Sequence, residues 1–284
     1  MVADVTALGA RPAAVVRARG APAVRAAPGR VTSERWHLAH ALLSSSLNIG
    51  LLLPGEVCDA VEEAYREGDV PTASAEGFVR QVIGWREYVW ALYWLWMPGF
   101  GRANELGAER PLPPVSTGAP TRMNCVRETI ASVDGYGWAH HIQRLMVLGN
   151  LGLLAGVRPD ELVDWFWRSF VDGSEWVMVP NVVGMALHAD GGRMATKPYA
   201  GGGAYIDRMS DYCGSCSLDP RKRVGDDACP FTSLYWDFVA RHRTRSAKNG
   251  RTTNQVNGLG RLSDLPATRR RASHVLNLLD AGEL

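Results

Sequence analysis

Asp211-Tyr212-Cys213-Gly214-Ser215-Cys216, followed after twelve intervening residues by Cys229-Pro230, is the stretch on which the reading of this chain turns. Two thiols at C-x-x-C spacing can meet one metal or cluster, because a short turn points both sulfurs the same way. Cys125, far upstream and just before the pair His140-His141, supplies a fourth thiol. Four sulfurs suit tetrahedral zinc or a cubane iron–sulfur cluster. A Cys-Pro step also occurs in ferredoxin-type cluster runs. Spacing alone leaves zinc, cluster and four unrelated buried thiols all open, since C-x-x-C arises often by accident.

Composition narrows the setting. The chain has 284 residues, 46 % of them hydrophobic, enough for one large core or two small ones. A net charge of +2 does not by itself imply a nucleic-acid partner. Five cysteines in a chain of this length fit a reduced, cytoplasmic setting better than a secreted disulfide scaffold. Cys58, in an amphipathic stretch, reads as a small core residue and not a ligand. No apolar run is long enough for a membrane span. Residues 1–30 carry five arginines and a single acid, Asp4, without helical period or secretory h-region, and read as a disordered tail.

From there the pattern is helical, and the expected class is all-α. Ser33 stands where an N-cap would open a helix. Pro54 starts a helix to about Tyr65. Residues 75–96 read as one helix, with Phe78, Val82, Trp85, Val89 and Leu92 at three- and four-residue steps. Further helices are expected at 124–133, 137–155, 159–172, 174–179 and 231–243, with loops at 102–121 and 184–207 and short helix and loop after 243. Between residues 238 and 274 stand nine Lys/Arg and one acid, Asp264, a run that can track phosphates or be an ordinary solvated surface.

Several motifs together resemble one family. They are Glu76-Gly77-Phe78 through Gly84-Trp85-Arg86-Glu87-Tyr88, Met123-Asn124-Cys125, and Ala139-His140-His141-Ile142-Gln143-Arg144. Further on come Glu175-Trp176 through Pro180-Asn181, Ala189-Asp190-Gly191-Gly192, Lys197-Pro198-Tyr199, and Tyr205 through Asp211-Tyr212-Cys213. From about Trp36 to Arg243 the chain resembles the photolyase-related proteins, the iron–sulfur bacterial cryptochromes and photolyases. The resemblance implies a photolyase/cryptochrome-type helical FAD-binding domain over residues 31–284. It also implies a [4Fe–4S] cluster on Cys125, Cys213, Cys216 and Cys229.

By the same resemblance His40, Ser44 and Asn48 meet the FAD phosphates. Arg86, Arg144, Glu175 and Asn181 stand near the diphosphate and the ring, with Asn181 beside flavin N5, and His141 is counted among the cofactor-binding residues as well as the catalytic ones. Met185 and Tyr199 belong to a lesion pocket, and Trp165 passes electrons to flavin. The partner implied is DNA carrying UV photoproducts, with light-driven repair of (6–4) lesions as the activity. There imidazole suits the proton that must accompany the electron. His140 and His141, on one helix, would point in different directions, one to the lesion and one to the flavin or core.

The chain also departs from the family pattern. No stretch matches the family's N-terminal antenna domain, so a separately encoded antenna domain is one expectation, with a monomeric chain the other. Val115-Ser116-Thr117-Gly118 replaces a Trp-Thr-Gly, so one relay tryptophan is missing. Met185-Ala186-Leu187 replaces Met-Ser-Gln, His40-Ala41 replaces His-Ser, and Gly201-Gly202-Gly203 replaces a serine-glycine. These losses keep two further readings alive: a cryptochrome-like photoreceptor without repair, and an inactive remnant.

Overall fold

The computed structural model describes residues 31–33, 36–38 and 40–284. The stretch 1–30, expected as a disordered tail, lies outside the described residues. Among the described residues the architecture is all-α, and extended pairing is confined to isolated bridges such as Val31 with Ser210. No helix among them is long and apolar enough to cross a membrane. The stretch read as one domain divides into two compact units, residues 37–94 and residues 95–284 with 31–33 and 36.

The first unit holds α1 (Ser44–Asn48), α2 (Pro54–Arg66) and α3 (Thr72–Val79), then a π-helical turn, Arg80–Trp85, and most of α4 (Arg86–Trp96). Pro54 opens α2 at a position where a missing N–H costs nothing, and the Glu56 carboxylate accepts the Leu53 N–H at 2.8 Å. Val57, Ala60, Val61 and Ala64 recur at helical spacing and are buried, and Val57, Val61 and Ala64 share one cluster with Leu43, Leu52, Val70 and Val82. Cys58 packs at the edge of this small core. The 75–96 helix is present, but its first half is α3 and the π turn. Val82, Val89 and Leu92 are buried as expected, whereas Trp85 is 41 % exposed. A π turn takes one residue more than an α turn, so the three–four spacing does not carry through it.

The second unit is built on α5 (Asn124–Tyr136), a π turn Gln143–Gly149 running into α6 (Asn150–Ala155), α7 (Pro159–Ser169) and α8 (Glu175–Val179). A third π turn, Pro180–Ala186, extends α8, so the glycine-rich loop begins at 187 and not 184. That loop ends in a short helix not foreseen in the sequence, α9 (Gly203–Met209). Then follow α10 (Pro230–Arg241), α11 (Arg243–Ala247), α12 (Thr253–Leu259) and α13 (Leu265–Ala281). Phe231, Leu234 and Phe238 of α10 share the main core with Ala272, Val275 and Leu279 of α13. Ser33 caps no helix; its N–H and hydroxyl donate to the Asp211 carboxylate at 3.1 and 3.2 Å, and Val31 N–H donates to Met209 O at 2.9 Å. A carboxylate 178 residues further along the chain outcompetes the local cap, and so residues 31–33 are tied to the backbone just before Cys213.

Candidate cofactor and metal site

The four cysteines come from three separate segments of the second unit. Cys125 lies in the first turn of α5, Cys213 lies within the 3-10 turn Tyr212–Ser215 with Cys216 directly after it, and Cys229 is the N-cap of α10. Asn124 joins the first two segments: its side-chain amide donates to Tyr212 O at 2.9 Å and to Ser215 Oγ at 3.0 Å. The loop to Cys229 closes on itself through Asp219 N–H to Asp227 O at 2.7 Å and Cys229 N–H to Asp219 O at 3.1 Å. All four cysteines line one hollow, whose other walls are Met123, Ile206, Tyr212 and Leu218. A side chain at Gly203 would come within 2.9 Å of Cys229 Sγ, so only glycine lets α9 approach the thiol.

The thiols are close enough to perturb one another. Burial pushes Cys125 well up, and Cys229, Cys213 and Cys216 push it further. Burial and then Cys229, Asp207 and Cys216 push Cys213 up to about 12. Burial pushes Cys229 up to about 11, against the pull of the Phe231 and Thr232 N–H groups at the start of α10. All four are free thiols. Among the described residues no group of three or more His, Cys, Asp or Glu is placed to hold a single metal ion.

The histidine pair departs from expectation. Helical backbone begins at His141, so His140 stands before the helix rather than on it. His140 is buried and acts as a cap: its Nδ1 accepts the Ile142 N–H at 3.0 Å, while Gln143 Oε1 accepts the His140 N–H at 2.8 Å. The pair is a capping box with imidazole in the usual place of a hydroxyl. Gln143 Nε2 donates to Tyr212 Oη at 2.7 Å, which links the histidine segment to the cysteine turn. His141 is exposed.

Arg144 follows within the same π turn. Its guanidinium pairs with buried Asp172 at 2.9 Å, donates to Ala139 O at 2.7 Å and stacks 4.1 Å over Phe170. Asn181, in the third π turn, donates its amide to Val177 O at 2.7 Å. The second and third π turns pass at close range: a side chain at Gly149 would sit 2.8 Å from Ala186 Cβ. Glu175 opens α8, Met185 is buried in the third π turn, and Tyr199 is exposed in the glycine-rich loop. Trp165 is half-buried, edge-on to Phe166 and Phe170.

His40, Ser44, Asn48 and Arg86 all fall in the first unit. Ser44 and Asn48 are one turn apart on α1 and share a face. His40 precedes the helix, with its N–H donated to His37 O at 3.0 Å. Arg86 pairs with Glu87 at 2.7 Å.

Sequence reasoning missed Asn150. It is fully buried in α6, and its amide exchanges hydrogen bonds with Gly201 at 2.8 and 3.0 Å, holding the glycine-rich loop. The signal was present: a lone amide in the apolar run 145–155 must find a partner.

No family model matches the chain. It is 47 % identical over 228 residues, 80 % of its length, to a (6-4) photolyase of Agrobacterium fabrum, and it spans 45 % of that relative's length. It is 31 % identical over 94 residues, 33 % of its length, to an uncharacterised protein of Acanthamoeba polyphaga mimivirus, covering 69 % of that protein. The similarity to the (6-4) photolyase thus runs over four-fifths of this chain, in a fold that is helical throughout the described residues, and takes in just under half of that relative.

Proposed function

We propose that this chain is the FAD- and [4Fe–4S]-binding domain of a DNA photolyase that repairs (6–4) pyrimidine photoproducts in light. The observation that carries the reading is the ring of four thiols around one hollow, in a chain 47 % identical to a (6-4) photolyase. The donor set fits a cluster. Four thiols in an apolar pocket hold their protons unless a cation replaces them, and each disfavours ionisation of the next. They line one space together with apolar walls, and four thiolates are the donor set a [4Fe–4S] cluster takes. Cys125 and Cys229 also stand at helix N-termini, whose N–H groups favour thiolate.

Asn181 fits a flavin neighbour. Its NH2 is committed to Val177 O, which leaves Oδ1 as an acceptor suited to the N–H of a reduced ring. When bound, reduced FAD supplies the electron that light drives into the lesion; the protein binds, orients and excludes water. His141, exposed where a lesion base can reach it, holds the proton that accompanies that electron. Buried His140 positions His141 by capping the helix start. Met185 supports the π turn from inside, and Tyr199 presents a ring to the substrate. A second reading, a photoreceptor without repair, is favoured by Ser116 and Thr117 in place of a relay tryptophan.

The visible spectrum of purified protein tests both cofactors, since flavin and cluster absorb distinctively. Illumination of chemically reduced protein with a (6–4)-containing oligonucleotide then tests repair. Restored pyrimidines are expected; none, with flavin, cluster and lesion binding verified, leaves the photoreceptor.

A further inference from the structure

We infer that the basic turn 248–252, with Arg243 before it and Lys197 beside it, is a phosphate-binding patch for duplex DNA, and that Asn249 assembles it. The basic run is not uniformly available. Arg241 and Arg269 are both held by Asp237, at 2.8 and 3.0 Å, and Arg245 pairs with Glu105 at 3.2 Å. Arg271 faces Asp226 at 3.8 Å. Among the described residues Arg243, Lys248 and Arg251 meet no carboxylate at ion-pair distance, and all three are exposed.

Asn249 brings a fourth cation to them. Its Nδ2 donates to Thr196 O at 2.7 Å, and its Oδ1 accepts the Arg251 N–H at 3.0 Å. Lys248 and exposed Lys197 are the chain neighbours of the two bonded residues, so one amide joins the segments that carry the two lysines. Each half is rigid on its own account. Buried Thr252 donates its hydroxyl to Ser246 O at 2.6 Å, and Lys248 N–H reaches Arg245 O at 3.1 Å. Across the junction, buried Asp190 accepts the Gly192 and Met194 N–H groups at 2.9 and 2.7 Å, and Glu105 N–H holds Ala189 O at 2.7 Å. The nearby acids are thus occupied, Asp190 by backbone and Glu105 by Arg245. Four exposed cations without a carboxylate at ion-pair distance among the described residues, on two joined segments, match a run of phosphates better than a single anion.

The choice of DNA as the polyanion rests on the proposed repair function; the patch itself does not. The test is fluorescence anisotropy of the full chain with a short, undamaged, fluorescein-labelled duplex, titrated at several salt concentrations. Replacing Arg243→Gln, Lys248→Gln and Arg251→Gln together should weaken binding several-fold and flatten the salt slope by about 0.9 for each phosphate left without its cation. Arg66→Gln, an exposed cation paired with Glu62 on α2, should change neither. Asn249→Ala keeps the net charge, yet should also weaken binding and make the effects of Lys197→Gln and Lys248→Gln independent of one another. Unchanged affinity and slope in the folded triple variant would overturn the proposal. So would equal loss in Arg66→Gln, or no duplex binding by the unaltered chain. Failure to take up flavin or to repair a lesion is read in other assays and leaves the duplex titration intact.

Discussion

At the scale of single residues, the cysteines and His242 carry opposite lessons about burial. Cys213 is pushed up to about 12 because burial and the neighbouring Cys229, Asp207 and Cys216 all oppose its negative form. Only a bound cationic group reverses that balance. Cys213→Ser is therefore expected to lose iron and sulfide and to melt at lower temperature, since the site ties α5 to the start of α10. Cys58→Ser, at the edge of the other core, should do neither; equal iron content in the two variants would remove the cluster. His242 lies tilted against Phe238 with ring centroids 4.7 Å apart, and burial, Arg241 and Arg245 push it down to about 4 from 6.5. Its folded form favours neutral imidazole, so its contribution is complete above about pH 6.5 and is lost as pH falls towards 4. Melting curves across that window should fall less steeply for His242→Gln than for the unaltered chain.

At the scale of elements, the three π turns are where local geometry departs from a plain helix, and each has one of the residues proposed to meet the cofactor in it or directly after it. Arg86 directly follows the first, Arg144 lies in the second and Asn181 in the third. Such turns are frequent at functional sites because the extra residue redirects side chains. The capping box before the second turn separates the two histidines. His140→Ala should cost about 1 kcal/mol of stability, as a lost cap does, measured by denaturant melts. His141→Ala should leave stability and flavin content near normal and cut repair by about 10²–10⁴-fold, as loss of a general acid does. Helices with an unbroken apolar period and a Pro start, such as α2, α7 and α10, were legible in the sequence, and so were the four thiols, because their chemistry is local to the residue type. α13 was not: its apolar stripe of Ala272, Val275 and Leu279 is thin and preceded by Arg269-Arg270-Arg271, although Pro266 and Gly282 marked its ends. The π turns left no periodic trace. Ser33 misled because its partner, Asp211, is distant in the chain and no local pattern encodes it.

At the scale of the whole molecule, the relay role proposed for Trp165 raises the question of how an electron would reach it from solvent without the relay tryptophan of the family pattern. Ser116 is buried, so a tryptophan there would overpack the core, whereas exposed Thr117 could accept one. The second unit holds another line of aromatic groups. Trp165 lies 6.0 Å from Phe170, Arg144 stacks 4.1 Å over Phe170 and 5.8 Å from Trp138, and Trp138 meets Trp36 edge-on at 5.6 Å. Trp36 in turn stacks on Tyr136 at 4.2 Å, and Tyr136 is 52 % exposed. Tunnelling falls steeply with gap length; the Trp138–Trp36 and Trp36–Tyr136 contacts are close to van der Waals range, and Phe170 and Arg144, which are not themselves oxidised, fill the single tunnelling step between Trp165 and Trp138. Charge repulsion from Arg144 is offset by its partner Asp172, so a transient cation on Trp138 is not strongly penalised. Blue-light flavin bleaching in the presence of an external thiol is expected to slow in Trp36→Phe and in Trp138→Phe, with dark flavin content unchanged. Thr117→Trp should add little, because the existing line already reaches the surface. Bleaching at the unaltered rate in both phenylalanine variants, together with a marked acceleration in Thr117→Trp, would mean that the route through position 117 is the one that matters and that its loss limits photoreduction in this chain.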